Sequence, residues 1–158
     1  MVKYLPDTVT VSKDEIPNKT VLMIELTQCR NNCTGCKTPW LKDNIGEFLD
    51  ERALGELLVN NKGIDCVVFS PEGSHTGDLT YIASMVHQFA WADLEVAVYC
   101  GRKSLGDDKK AYEGVFDYIR LGQYTKTKRN NQILYHIIRK DDGSVVWEEM
   151  EKEGVVEK

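Results

Sequence analysis

At 158 residues, with 42% hydrophobic and 28% charged side chains, the chain fits one domain whose core needs no disulfide scaffold. Twenty basic against 25 acidic side chains leave a formal charge of −5, which counts against a general nucleic-acid binder. No stretch approaches the roughly 18 uninterrupted apolar residues of a membrane helix, and 1–13 lack an apolar signal core, so a cytoplasmic protein with reduced cysteines is expected.

In chain order, 1–20 reads as an N-terminal arm in which Thr8 to Ser12 alternate like a short edge strand before Pro17. Val21 to Leu26 is a mostly apolar, partly branched run of the kind found inside a covered parallel sheet. Periodicity then vanishes between Thr27 and Gly46, a long loop with three cysteines, and long loops of this kind are usually functional. Asp50 is placed to cap a helix carrying Leu54, Leu57 and Leu58 on one face, with Gly63 as its stop.

A strand over Asp65 to Phe69 follows, then a helix from Asp78 to about Ala90 with an apolar stripe, and a strand over Leu94 to Tyr99. A weaker helix from Gly106 to Gly114 leads to strands over Val115 to Leu121 and Gln132 to Ile138. The acidic tail, 139–158, fits a strand or a helix around Val145 to Trp147. Strands alternating with helices imply parallel pairing and right-handed crossovers, with ligands at the strands' carboxyl ends. The units are too few for an eightfold barrel, so the expected fold is α/β, a partial, open parallel β/α barrel in a single domain.

Cys29, Cys33 and Cys36 form C-x(3)-C-x(2)-C just past the first strong strand. Three closely spaced thiolates converge readily on one soft metal centre. With no fourth cysteine nearby, a structural zinc site lacks a ligand, whereas a four-iron cubane held by three cysteines keeps one iron open to another molecule. An amine and a carboxylate chelate such an iron, and S-adenosylmethionine carries both beside a cleavable sulfonium.

The run from Cys29 through Arg30, Asn31, Asn32, Cys33, Thr34 and Gly35 to Cys36 resembles the radical S-adenosylmethionine signature. Gly35 before the third cysteine is similar to the small activases of anaerobic ribonucleotide reductase, where most of the superfamily has an aromatic residue. Lys37 to Trp40, Ile45 to Glu47, Val98 to Arg102, Phe116 to Tyr124, and Asn131 to Tyr135 resemble further stretches of that family, so the likeness runs from Met1 to about Ile138. It implies one 4Fe-4S cluster on Cys29, Cys33 and Cys36, with S-adenosylmethionine as co-substrate. It also implies a protein partner, the glycyl-radical large subunit of the reductase, a reductant such as flavodoxin or ferredoxin, and neither nucleic acid nor membrane.

The pattern departs from that family at the turn after the second strong strand, where relatives carry Gly-Gly-Glu or Gly-Gly-Asp to receive the cofactor's ammonium group. Here Ser70, Pro71, Glu72 and Gly73 stand instead. Glu72 supplies the carboxylate only if the turn shifts by one residue; otherwise a backbone carbonyl takes its place, and a plain strand-to-helix turn is the bland alternative. Arg120, or Arg102 on the neighbouring strand end, is the candidate partner of the cofactor carboxylate, since arginine suits bidentate recognition. Cys100 is a candidate lining residue, Cys66 reads as core filler, His75 lies in the altered turn, His87 reads as solvated and His136 as structural. An iron-sulfur binding or electron-transfer module with a degenerate cofactor site, and a small zinc domain, are the competing readings.

Overall fold

The computed structural model describes residues 2–28, 41, 43–73, 75–89, 93–122 and 132–150. Nine strands and three α-helices occur among them: β1 (Lys3–Tyr4), β2 (Thr10–Ser12), β3 (Val21–Ile24), β4 (Glu47–Phe48), α1 (Glu51–Asn60), β5 (Cys66–Phe69), α2 (Thr76–His87), β6 (Glu95–Cys100), α3 (Lys109–Val115), β7 (Tyr118–Leu121), β8 (Ile133–Arg139) and β9 (Val145–Met150). β1 and β4 pair as a small antiparallel sheet, and the other seven strands form one sheet in the order β2-β3-β5-β6-β7-β8-β9.

Only the middle of this sheet is parallel. β3, β5, β6 and β7 run in the same direction, while β2, β8 and β9 join antiparallel to their neighbours. The described strands therefore define a mixed α/β sheet with two edges, β2 and β9, where parallel pairing throughout was expected. The cause at the far side is local: β8 and β9 are joined by the tight turn at Gly143 (φ 89°), and a hairpin imposes antiparallel pairing. The beginning of the acidic tail thus forms an edge strand.

The parallel strands lie in sequence order, with no reversal of the kind that makes the crevice of a doubly wound sheet. Successive crossovers of one hand then carry each helix to the same face. The core bears this out: Leu54 and Leu58 of α1, Leu79, Ile82 and Val86 of α2, and Tyr112 of α3 pack with Leu22, Ile24, Val67, Phe69, Val96, Val98 and Ile119 of the sheet. The alternate strand residues, Val21, Cys66, Val68, Ala97 and Tyr118, form a second cluster with Ile16 on the face that bears no helix among the described residues, hereafter the open face. Each fully buried Leu, Val or Ile here contributes roughly 2 kcal/mol of transfer free energy.

Candidate functional site

The chain leaves β3 at the carboxyl end of the parallel strands, and its next residues are pinned. Buried Thr27 donates its hydroxyl to the Ile45 carbonyl at 2.7 Å, and the Gln28 N–H donates to the Asp43 carbonyl at 3.1 Å. Gln28 itself takes φ 59°, and Gly46, at φ 92°, passes so close to β1 that a Cβ there would lie 2.2 Å from the Tyr4 carbonyl oxygen. Residues 27–28 and 43–46 thus meet as a neck, and the chain between them carries the cysteines. Cys29, Cys33, Cys36 and Gly35, with Trp40, Gln123, Tyr124 and Asn131, lie outside the described residues.

β5 ends beside this neck. The Ser70 N–H donates to the Ile24 carbonyl at 3.0 Å and the Ser70 carbonyl accepts from the Leu26 N–H at 3.3 Å; the Ser70–Pro71 peptide is cis. Gly73 takes φ 76°, and a Cβ at its position would stand 3.7 Å from Leu26 and 3.9 Å from the Thr27 carbonyl oxygen. The altered turn therefore rests against the chain that enters the cysteine segment.

Glu72 points the other way. Its side chain is fully buried and held by Arg102, whose Nε and Nη2 donate to Oε2 and Oε1 at 3.1 and 2.8 Å. Tyr112 of α3 donates its hydroxyl to Oε1 at 2.6 Å, and Arg102 also reaches Asp108 at 2.8 Å. Burial disfavours a charged Arg102, but the adjacent carboxylates outweigh it and hold the guanidinium protonated more firmly than usual. Because Tyr112 and Leu105 belong to the helix-side core, this cluster fills the layer between sheet and α3. Its chemistry is that of a lock: a bidentate, fully hydrogen-bonded ion pair, expensive to break from one side.

Cys100 likewise belongs to the helix-side core, 1% exposed, and does not line the open face. Its neighbour Tyr99 does. Tyr99 donates to a Glu15 carboxylate oxygen at 3.0 Å, and the Arg120 guanidinium stands 5.0 Å from its ring centroid. Burial first, then the nearby Glu15 carboxylate, push the Tyr99 hydroxyl far above its ordinary pKa, so it remains a neutral donor. The two arginine candidates are thus separated: Arg102 is committed within the helix side, and Arg120 lies on the open face.

Cys66 fills the open-face core at the amino end of β5, and burial pushes its thiol well above the usual range. His75 caps α2, its Nδ1 accepting from the Asp78 N–H at 3.3 Å. His87 is exposed, as expected, with its Nε2 3.0 Å from the Val115 carbonyl oxygen and 3.5 Å from Asp117. His136 stacks on Tyr118 at 4.9 Å between centroids.

Tyr99, Asp108 and Tyr112 are the participants that sequence reasoning missed. Tyr99 fell within the stretch Val98 to Arg102 that carries the resemblance, whereas Asp108 and Tyr112 had no signal beyond their place in a weakly helical run. No helix among the described residues is long and apolar enough to cross a membrane. Comparison with known proteins finds no matching family model, no matching curated protein and no matching solved structure.

Proposed function

We propose that the chain is a cytoplasmic radical S-adenosylmethionine enzyme that generates a 5′-deoxyadenosyl radical and installs a glycyl radical on the large subunit of an anaerobic ribonucleotide reductase. One observation carries this reading: a C-x(3)-C-x(2)-C segment begins directly after the pinned neck at the carboxyl end of the first of four sequence-ordered parallel strands. That is the edge of an α/β sheet where chemistry is normally housed.

The donor set fits a three-cysteine cluster. Cys29, Cys33 and Cys36 would hold it, while Cys66 at the opposite end of β5 and Cys100 in the helix-side core are both packed in the protein interior. When bound, such a cluster supplies one electron to the sulfonium of S-adenosylmethionine, releasing methionine and the deoxyadenosyl radical. The chain's own residues have simpler tasks. Arg120 offers a cation to a carboxylate on the open face, Tyr99 gives it an aromatic platform, and Gly73 lets the turn approach the neck. Glu72 and Arg102 hold that turn from behind.

The commitment of Glu72 to Arg102 favours a second reading, an iron-sulfur binding or electron-transfer module without productive cofactor cleavage. Anaerobic reconstitution followed by reduction separates the two. Release of 5′-deoxyadenosine from S-adenosylmethionine, with a glycyl radical signal on a co-expressed large subunit, is the expected result. A brown protein that releases none supports the module, and a colourless zinc protein contradicts both.

A further inference from the structure

The described turn leaves the cofactor's ammonium group without the carboxylate that a Gly-Gly-Glu turn supplies, because Glu72 faces the helices and is already paired. The sheet offers a different one. The Ser70 N–H to Ile24 and Leu26 N–H to Ser70 bonds extend the parallel ladder one residue beyond the strands, which sets Glu25 directly beside Ser70. The same register, Phe69 beside Val98 and Tyr99 beside Arg120, continues the row as Glu25, Ser70, Tyr99 and Arg120 across four strands.

Side-chain alternation fixes the face of this row. Leu22, Ile24 and Leu26 pack on the helix side, whereas Val21 and Met23 pack on the open face, and Glu25 falls in step with the latter. Among the described residues, neither the Glu25 carboxylate nor the Ser70 hydroxyl has a hydrogen-bond partner, and Arg120 has the Tyr99 ring but no carboxylate. Both charged residues are half-buried. A half-buried anion and a half-buried cation in one row, each unpaired among the described residues, are complementary to a zwitterion. Three strand spacings of about 4.8 Å put their backbones about 14 Å apart, a gap that the two long side chains and an amino-acid head group fill together.

We infer that Glu25 accepts hydrogen bonds from the N–H groups of the α-amino nitrogen of the methionyl moiety of S-adenosylmethionine while Arg120 holds its carboxylate, so that a carboxylate on β3 replaces the one missing from the turn after β5. This inference rests on the proposed function and names a binding pair for it. Glu25 lies four residues before Cys29, on the strand that feeds the cysteine segment, which keeps the bound head group beside the neck.

The test measures affinity rather than turnover. The reconstituted full-length protein is titrated calorimetrically with S-adenosylmethionine, with its decarboxylated analogue, which keeps the ammonium, and with 5′-methylthioadenosine, which has neither group. Glu25→Gln is expected to weaken S-adenosylmethionine and the decarboxylated analogue about tenfold or more, and to leave methylthioadenosine unchanged. Arg120→Met is expected to weaken S-adenosylmethionine but not the decarboxylated analogue. Unchanged binding of S-adenosylmethionine by Glu25→Gln overturns the inference alone. So does an equal loss for methylthioadenosine, which would mark Glu25 as structural. If the unmutated protein, with its iron in place, fails to bind S-adenosylmethionine, both the inference and the proposed function fall.

Discussion

Among single residues, Glu72 has the most constrained surroundings: no exposed surface, two hydrogen bonds from Arg102 and one from Tyr112. Removing one partner of such a pair strands the other charge in the interior, at a cost of about 3–5 kcal/mol. Arg102→Met is therefore expected to lower the thermal midpoint sharply, while Tyr112→Phe, which removes one hydrogen bond to the carboxylate, costs about 1.5–3 kcal/mol. Equal midpoints for Arg102→Met and the unmutated protein would contradict the lock. The tyrosines of the open face give a pH signature. Burial, then neighbouring carboxylates, raise the hydroxyls of Tyr99 and Tyr118 well above their ordinary value near 10. The folded state therefore keeps protons that the unfolded chain releases, so this contribution is complete below about pH 10 and is lost as pH rises further. Alkaline titration at the tyrosinate absorbance should show these two hydroxyls ionising only with unfolding, and Tyr99→Phe should flatten the stability loss above pH 10. The pairing that defines Glu72 was illegible in the sequence because its partners are 30 and 40 residues away, joined only by the crossovers of β6 and α3.

Elements with strong local signals were legible. Asp50 caps α1 as its position before the leucine face indicated, its carboxylate accepting from the Ala53 N–H at 2.8 Å. Asp50→Ala should cost about 1 kcal/mol in chemical denaturation, and no change would contradict the cap. The apolar runs that became β3, β5 and β6 were equally readable, since strands covered on both faces carry uninterrupted apolar residues. β4 and β9 were not. β4 is two residues whose pairing depends on β1, and β9 carries exposed Glu148 and Glu149 on an edge, a composition that fits a strand or a helix equally and leaves the choice to the pairing with β8. Gly46 joins these scales, since its left-handed φ and its approach to the Tyr4 carbonyl admit no side chain. Gly46→Ala should destabilise the β1–β4 pair by about 2 kcal/mol or more and reduce the iron retained after reconstitution. Full iron retention by a fully stable Gly46→Ala protein would contradict the neck.

At the scale of the whole molecule, a helix-covered sheet gathers the carboxyl ends of four parallel strands on one edge, and the neck formed by residues 27–28 and 43–46 lies beside that edge. The spacing of the cysteines was visible at once, whereas the separation of the two arginines required the tertiary structure, in which Arg102 pairs with Glu72 on the helix side and Arg120 stands beside Tyr99 on the open face. Cys29→Ala, Cys33→Ala and Cys36→Ala should each abolish cofactor cleavage, because two thiolates cannot hold a cubane with one defined open iron. The most direct measurement is electron paramagnetic resonance of the reconstituted, reduced protein with and without S-adenosylmethionine. The account predicts a reduced four-iron signal whose g-values shift when S-adenosylmethionine is added; a signal indifferent to it, or no iron signal at all, would contradict the account.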